Sequence, residues 1–206
     1  MITLSRTDSL DAARDAAASA LAAGQAVVLP TDTVYGLACS PSDPAAADEV
    51  YRLKQRPRER RLPVIVADAE QARALGVRWT AAADALAAAF WPGALTLAVG
   101  LTAEAPGWLA GRDEVALRAP GDELTRAIAA TFGPFLMTSA NPHGQATAPS
   151  LREVLDSLHG EPAVAIDGGE LDVVASTLVN VNLDAPEIAR EGAVPAAEVE
   201  RVLAGG

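Results

Sequence analysis

The 206-residue chain has a single cysteine, Cys39, so no disulfide can close within it and no cysteine-based zinc cluster can form. Two histidines, His143 and His159, are too few for a multi-histidine metal centre. Aromatic residues make up 4% of the chain, which leaves little for the stacking platforms of single-strand nucleic-acid binders. No apolar run reaches the roughly 20 residues of a membrane helix, because the longest, 85–99, is broken by Trp91-Pro92-Gly93. The N-terminus shows no basic leader followed by an apolar run, so a cytoplasmic, membrane-free protein is expected. Positive charge is scarce as well. Lys+Arg number 16 against 27 Asp+Glu, the net charge is -11, and Lys54 is the only lysine. Such a balance disfavours a protein whose main task is to grip phosphate backbones without specificity.

What is present suits a folded globular chain. Half of the residues are apolar, and a chain of this length buries roughly 70% of the surface its unfolded form exposes, enough to need no covalent or metal staple. Helices are expected over 10–23 (capped by Ser9 or Asp11 and ended by Gly24), 45–54, 69–75, 81–90, 124–131, 151–158 and 196–203. Strands are expected over 26–30, 62–66, 94–99, 114–118, 135–138, 163–167, 176–182 and 187–190, with 31–44 as polar loop. The alternation is not a strict β-α-β-α rhythm, so it predicts an α/β or α+β layer fold with a mixed, twisted sheet. The common nucleotide and hydrolase signatures are absent: no G-x-x-x-x-G-K-[ST], G-x-G-x-x-G, G-x-S-x-G or H-E-x-x-H.

Three segments carry chemistry. Pro30-Thr31-Asp32-Thr33-Val34-Tyr35-Gly36-Leu37 places two hydroxyls and a carboxylate after a buried strand, where α/β sheets hold ligands; a polar turn built on Asp32 would read the same way. Residues 51–61 hold six of the sixteen basic groups within ten positions. Outside those ten positions, ten basic groups face twenty-six acidic ones. A cation focus on such a background can draw in a polyphosphate, whereas a solvated helix end would need no ligand. Lys54, the one lysine among fifteen arginines, marks a place for a compact ammonium. The third segment is Met137-Thr138-Ser139-Ala140-Asn141-Pro142-His143-Gly144, followed by Thr147. It ends a strand in small polar residues, whose amides and hydroxyls can cradle a phosphate. His143 reads as an exposed loop residue and His159 as a helix C-terminal cap. Arg118, at the end of an apolar strand, and Arg190, closing another, each require an anion or a place at the rim.

Taken in order, eight motifs resemble the YrdC-type family of threonylcarbamoyl-AMP synthases, over most of the chain from Gly24 to Arg190. They are the Pro30–Leu37 segment, Lys54-x-Arg56-Pro57, Trp91-Pro92-Gly93-x-Leu95-Thr96, Val115-Ala116-Leu117-Arg118, Ser139-Ala140-Asn141, Asp167-Gly168-Gly169, Ser176-Thr177 and Arg190-x-Gly192. The resemblance implies a twisted mixed sheet flanked by helices around a deep cation-lined cavity, with residues 1–206 as one YrdC-like domain of the short form. It implies synthesis of threonylcarbamoyl-adenylate and pyrophosphate from L-threonine, bicarbonate and ATP with Mg2+, for threonylcarbamoyladenosine modification of tRNA by a partner transferase complex. Carried over by motif, Thr33, Arg118, Met137 and Ser176 would line the threonine pocket. Lys54, Arg56, Arg60, Ser139, Asn141, Thr147 and Arg190 would bind ATP, with Lys54 and Arg56 as the catalytic cations. No metal-binding residues are implied. The chain departs from the pattern at Ile65, where relatives carry a pocket histidine, at Glu114, often a hydroxyl residue, and at His143, usually small.

Two other readings follow from the same resemblance. One is a double-stranded-RNA-binding module without catalysis, or weak RNA binding beside it, for which only the 52–61 cluster speaks. The other is a carbamoyltransferase of the hydrogenase-maturation type, found in much longer zinc-containing chains.

Overall fold

In a computed structural model, residues 1–5 and 9–205 are described. Each helix starts where a short polar side chain or a proline precedes an apolar-periodic run. α1 (Leu10–Ala22) begins at Ser9, whose hydroxyl accepts the Ala12 amide at 3.2 Å. α2 (Pro44–Lys54) is capped by Asp43, which accepts the Ala45 amide, and α3 (Ala69–Arg73) by Asp68. α4 (Ala81–Phe90), α5 (Glu123–Phe132) and α6 (Leu151–Ser157) begin at Thr80, Asp122 and Ser150, and α7 (Ala196–Leu203) follows Pro195. None of the described helices is long and apolar enough to cross a membrane.

The strands are β1 (Ile2–Ser5), β2 (Val27–Leu29), β3 (Gly36–Cys39), β4 (Val64–Ile65), β5 (Val77–Arg78), β6 (Leu95–Leu101), β7 (Glu114–Arg118), β8 (Phe135–Ser139), β9 (Val164–Asp167), β10 (Thr177–Asn180) and β11 (Glu187–Arg190). All belong to one mixed sheet in the order β1-β9-β2-β3-β8-β4-β7-β6-β10-β11, with β5 paired to β6. The pairs β1–β9, β2–β9, β4–β7 and β6–β10 are parallel, and the others are antiparallel. The mixed α/β architecture matches the expectation from sequence.

Three strands were not expected. β3 lies inside the stretch read as polar loop; its four residues are buried on both sides and include two poor strand formers, Gly36 and Ala38, so no alternation marks it. β1 is an exposed edge and β5 is two residues long, and neither leaves a pattern in so short a run.

Side-chain alternation sorts the sheet into two faces. The first face carries the larger core. Leu37, Val64, Leu97, Val99, Val115, Leu117 and Val179 pack there against α2, α3, α4, α6 and α7. The second face carries a smaller core under α1 and α5, built on Val27, Leu29, Ala38, Ile65, Phe135, Met137 and Ile166. Among the described residues this second core takes members from β2, β3, β4, β8 and β9 and none from β6, β7, β10 or β11. The second apolar core therefore stops short of β7, beyond which only Ala116, Ala98 and Leu178 are apolar on that face. From there outward the face presents Arg118, Thr96, Ser176 and, across a register irregularity, Arg190.

Candidate functional site

Arg118 ends β7 and stands beside Ile65 in register, on the second face. Its residue exposure is 7%. Each guanidinium nitrogen has a partner. Nε donates to the Gly93 carbonyl at 3.0 Å, Nη1 to Thr33 Oγ1 at 2.8 Å, and Nη2 to Asp32 Oδ1 at 2.7 Å. Burial pushes the arginine toward its neutral form; Asp32 opposes this, and nearby Arg190 adds to it. Arg190 is thus electrostatically coupled to Arg118, from the end of β11. Its Nη2 donates to the Ser176 carbonyl at 2.7 Å and to Ser176 Oγ at 3.3 Å. Ser176 Oγ in turn shares a 2.8 Å hydrogen bond with Thr96 Oγ1. Thr33 is thus bonded to Arg118, and Ser176 to Arg190 and Thr96, with the charge of Arg190 reaching Arg118.

The Thr33 end of this cluster is rigid. Thr31 Oγ1 accepts the amides of Thr33 and Val34, each at 3.1 Å, and donates to the Val34 carbonyl at 2.6 Å, which ties the turn after β2. The buried Tyr35 hydroxyl donates to the Gly169 carbonyl at 2.6 Å and accepts the Gly168 amide at 3.0 Å. The Asp167-Gly168-Gly169 motif is therefore joined to the Pro30–Leu37 motif by that phenol. Gly36 lets Met137 pack close over the strand: a Cβ there would lie 2.5 Å from the Met137 sulfur and make the thioether shift. Met137 itself is 6% exposed and belongs to the second core, at the border of the polar region.

A second cluster forms where α2 meets the end of β8. Lys54 is the last residue of α2 and only 1% exposed. Its ammonium donates to the carbonyl oxygens of Ser139 and Asn141, with Asn141 Oδ1 3.5 Å away. Burial, and then the charge of Arg56, push this ammonium down to about 7. Asn141 holds its own turn by donating to the carbonyls of Pro142 at 3.0 Å and Gln145 at 2.7 Å. Half-buried Thr147 follows that turn. Arg56 donates through Nε to the Arg60 carbonyl at 2.7 Å and through Nη2 to the Arg61 carbonyl at 3.3 Å, folding the basic segment back on itself. Burial lowers its pKa, Tyr51 opposes this, and Arg60 adds to it. Arg60 is exposed.

Of the other cations in the run, Arg52 pairs with Glu49 and Arg58 with Asp48, so these two are held by carboxylates of α2. His143 is exposed, and its amide donates to the Lys54 carbonyl at 2.8 Å. His159 differs from its reading as the cap of the preceding helix. Its amide donates to the Leu53 carbonyl at 2.9 Å and its carbonyl accepts Arg52 Nη1, so its backbone closes the end of α2 across the fold.

The two clusters meet through the Pro30–Leu37 segment. Thr33 accepts from Arg118 in the first, and the Tyr35 carbonyl accepts the Ala140 amide at 2.7 Å in the second. Three participants had no role from sequence: Asp32, Gly93 and Thr96. Asp32 left a trace, a lone carboxylate between two hydroxyls; Gly93 and Thr96 stood in the Trp91–Thr96 motif without a role, since a carbonyl and a paired hydroxyl are defined only by tertiary contact. Asp32 also lines a cavity of about 560 Å3 with Thr31, Asp122, Glu123, Glu170 and Asp172, an acidic neighbourhood beside the buried arginine.

A family model described as Sua5_yciO_yrdC, telomere recombination, matches residues 19–192. Threonylcarbamoyl-AMP synthase of Pyrococcus abyssi is 33% identical over 190 residues, which is 91% of this chain and 56% of that protein. Threonylcarbamoyl-AMP synthase of Bacillus subtilis is 34% identical over 191 residues, 91% of this chain and 55% of that protein. The chain thus spans a little over half the length of these two relatives. The crystal structure of P. abyssi Sua5 complexed with L-threonine superposes with a TM-score of 0.88 at 31% identity, covering 98% of this chain and 60% of that one.

Proposed function

The chain belongs to the Sua5/YciO/YrdC family, and on that premise we propose that it is a threonylcarbamoyl-AMP synthase, with its described residues forming one YrdC-like unit. The substrates are L-threonine, bicarbonate and ATP, the last as its Mg2+ complex. The observation that carries the reading is that the bonded pairs Thr33–Arg118 and Ser176–Arg190 both lie on the part of the second face that the apolar core leaves unfilled.

The chemistry suits those groups. The threonine amine adds to CO2 and gives up a proton, or condenses with bicarbonate and releases water, to form a carbamate. A carbamate oxygen then attacks the α-phosphorus, the bond from that phosphorus to the β-bridging oxygen breaks, and pyrophosphate leaves with the electron pair. Charge builds on phosphate oxygens, so fixed cations and positioning supply the rate. Arg118 has two N–H groups beyond its three bonded ones, and these would take the threonine carboxylate. Thr33 and Ser176 would meet its polar groups, and Met137 its methyl. Arg56, Arg60 and Arg190 would face the phosphates, with Ser139, Asn141 and Thr147 around the nucleotide. Lys54 would act at the same place by fixing the Ser139–Asn141 turn with its charge. Holding carbamate and α-phosphate in line contributes several kcal/mol, up to about 7–11 in ideal cases. A deep cation-lined cavity, cytoplasmic location and transfer of the threonylcarbamoyl group to tRNA by a partner transferase complex belong to the same proposal.

The test is direct. Purified protein is incubated with ATP, Mg2+, bicarbonate and L-threonine, and the mixed anhydride is sought by mass spectrometry. Its formation supports the reading. Salt-sensitive RNA binding with no product would favour the non-catalytic RNA-binding alternative.

A further inference from the structure

Asp32 belongs to no substrate-binding set in the reading above, yet it is the carboxylate that meets the buried arginine. Its Oδ1 accepts Arg118 Nη2 at 2.7 Å, with side-chain exposures of 8% for Arg118 and 23% for Asp32. Its backbone is set by the Thr31 hydroxyl turn. Space for its other oxygen is left by Gly121, where a Cβ would lie 2.8 Å from Asp32 Oδ2. The remaining anchors on Arg118, the Thr33 hydroxyl and the Gly93 carbonyl, are neutral. Arg118 and Arg190 are close enough to repel one another. Without a countercharge, two adjacent cations of this kind would form a good site for a phosphate. The cavity beside Asp32 adds Asp122, Glu123, Glu170 and Asp172, so the field on that side also disfavours a polyanion.

We propose that Asp32 is a positioning and specificity-determining residue: it fixes the Arg118 fork toward a substrate monocarboxylate and cancels enough positive charge to keep phosphate out of the amino-acid end of the site. This rests on the functional reading above. It assigns to one carboxylate the division of a single cationic face into an amino-acid half and a phosphate half.

The test is calorimetric titration of L-threonine and of inorganic phosphate into the wild-type protein, Asp32→Asn, Asp32→Glu and Gly121→Ala, with the melting temperature of each recorded. Asp32→Asn keeps the size of the side chain and removes its charge. We expect threonine affinity to fall about tenfold or more. Phosphate should gain affinity and become competitive with threonine, a change that loss of packing alone would not produce. Asp32→Glu should restore most of the threonine affinity and exclude phosphate again. Gly121→Ala, which displaces the carboxylate without removing it, should move in the direction of Asp32→Asn. Wild-type protein that binds no threonine overturns the functional reading. Wild-type binding with Asp32→Asn unchanged in both titrations overturns the role of Asp32 alone.

Discussion

The ammonium of Lys54 donates to the backbone carbonyl of Ser139, 85 residues away in the chain. It donates to the Asn141 carbonyl as well, so the end of α2 and the turn after β8 share one buried charge. Replacement of Lys54 by Ala leaves two carbonyls without their donor, at about 1–3 kcal/mol for each orphaned group. The predicted result is a melting temperature lower by roughly 5 °C or more, together with loss of ATP affinity. Thermal unfolding and nucleotide titration of Lys54→Ala measure both.

The same burial gives a pH dependence. The ammonium is pushed down to about 7 from its ordinary 10.5. Between those values the unfolded chain binds a proton that the folded chain does not, so stability rises with pH across that window. The contribution is fully present above 10.5 and is lost as pH falls to about 7. The slope approaches ~1.4 kcal/mol per pH unit where Lys54 titrates alone. Cys39, whose thiol is pushed up to about 12 by burial, keeps its proton in the folded chain while the unfolded chain loses it near 9.0, so it opposes the rise at the top of that range. Denaturant unfolding between pH 7 and 9.5 should show the rise in the wild type and a flatter profile in Lys54→Met. Nucleotide affinity should move the opposite way, falling as Lys54 loses the charge that holds the turn.

The two clusters predict separable kinetic effects. Arg118→Ala should raise the KM for threonine at least tenfold and leave that for ATP within about twofold, because Arg118 contacts Thr33 and Asp32 and none of the Lys54 cluster. Arg56→Ala should do the reverse, raising the KM for ATP and lowering kcat. Steady-state pyrophosphate release with each substrate varied distinguishes the two. An ATP-selective defect in Arg118→Ala would show that the face is divided differently.

Much of this was legible in the chain. The strand Glu114–Arg118 and the helices Ala81–Phe90 and Ala196–Leu203 have the predicted bounds, since each combines a clear period with a definite stop. β3 was not legible, because Gly36-Leu37-Ala38-Cys39 is buried on both faces and shows no alternation. In the site, the residue types and their order were readable, and the structure bonds Thr33 to Arg118 and Ser176 to Arg190. Their partnerships were not, since the Arg118–Thr33 and Arg118–Asp32 contacts span 85 and 86 positions. Nor did the sequence reveal that Lys54, expected to face a ligand, is 1% exposed and turned toward carbonyl groups.

Substrate choice follows from the buried hydroxyls. A pocket that pairs the threonine hydroxyl rejects valine strongly, by a factor on the order of 10⁴, because the partner would be left unbonded. Serine lacks only a methyl and should be rejected by about 10–200-fold. Ratios of kcat/KM for the three amino acids measure this, and equal use of valine and threonine would remove the hydroxyl contact from the account.

The central claim is that one sheet face holds a nucleotide triphosphate and a hydroxylated amino acid side by side and joins them through a carbamate. Pyrophosphate release by the purified protein, with ATP, bicarbonate and L-threonine omitted one at a time, tests it most directly. The account predicts release that requires all three and stops when any is withheld. Release that continues without threonine or bicarbonate, or none with all three present, would contradict it.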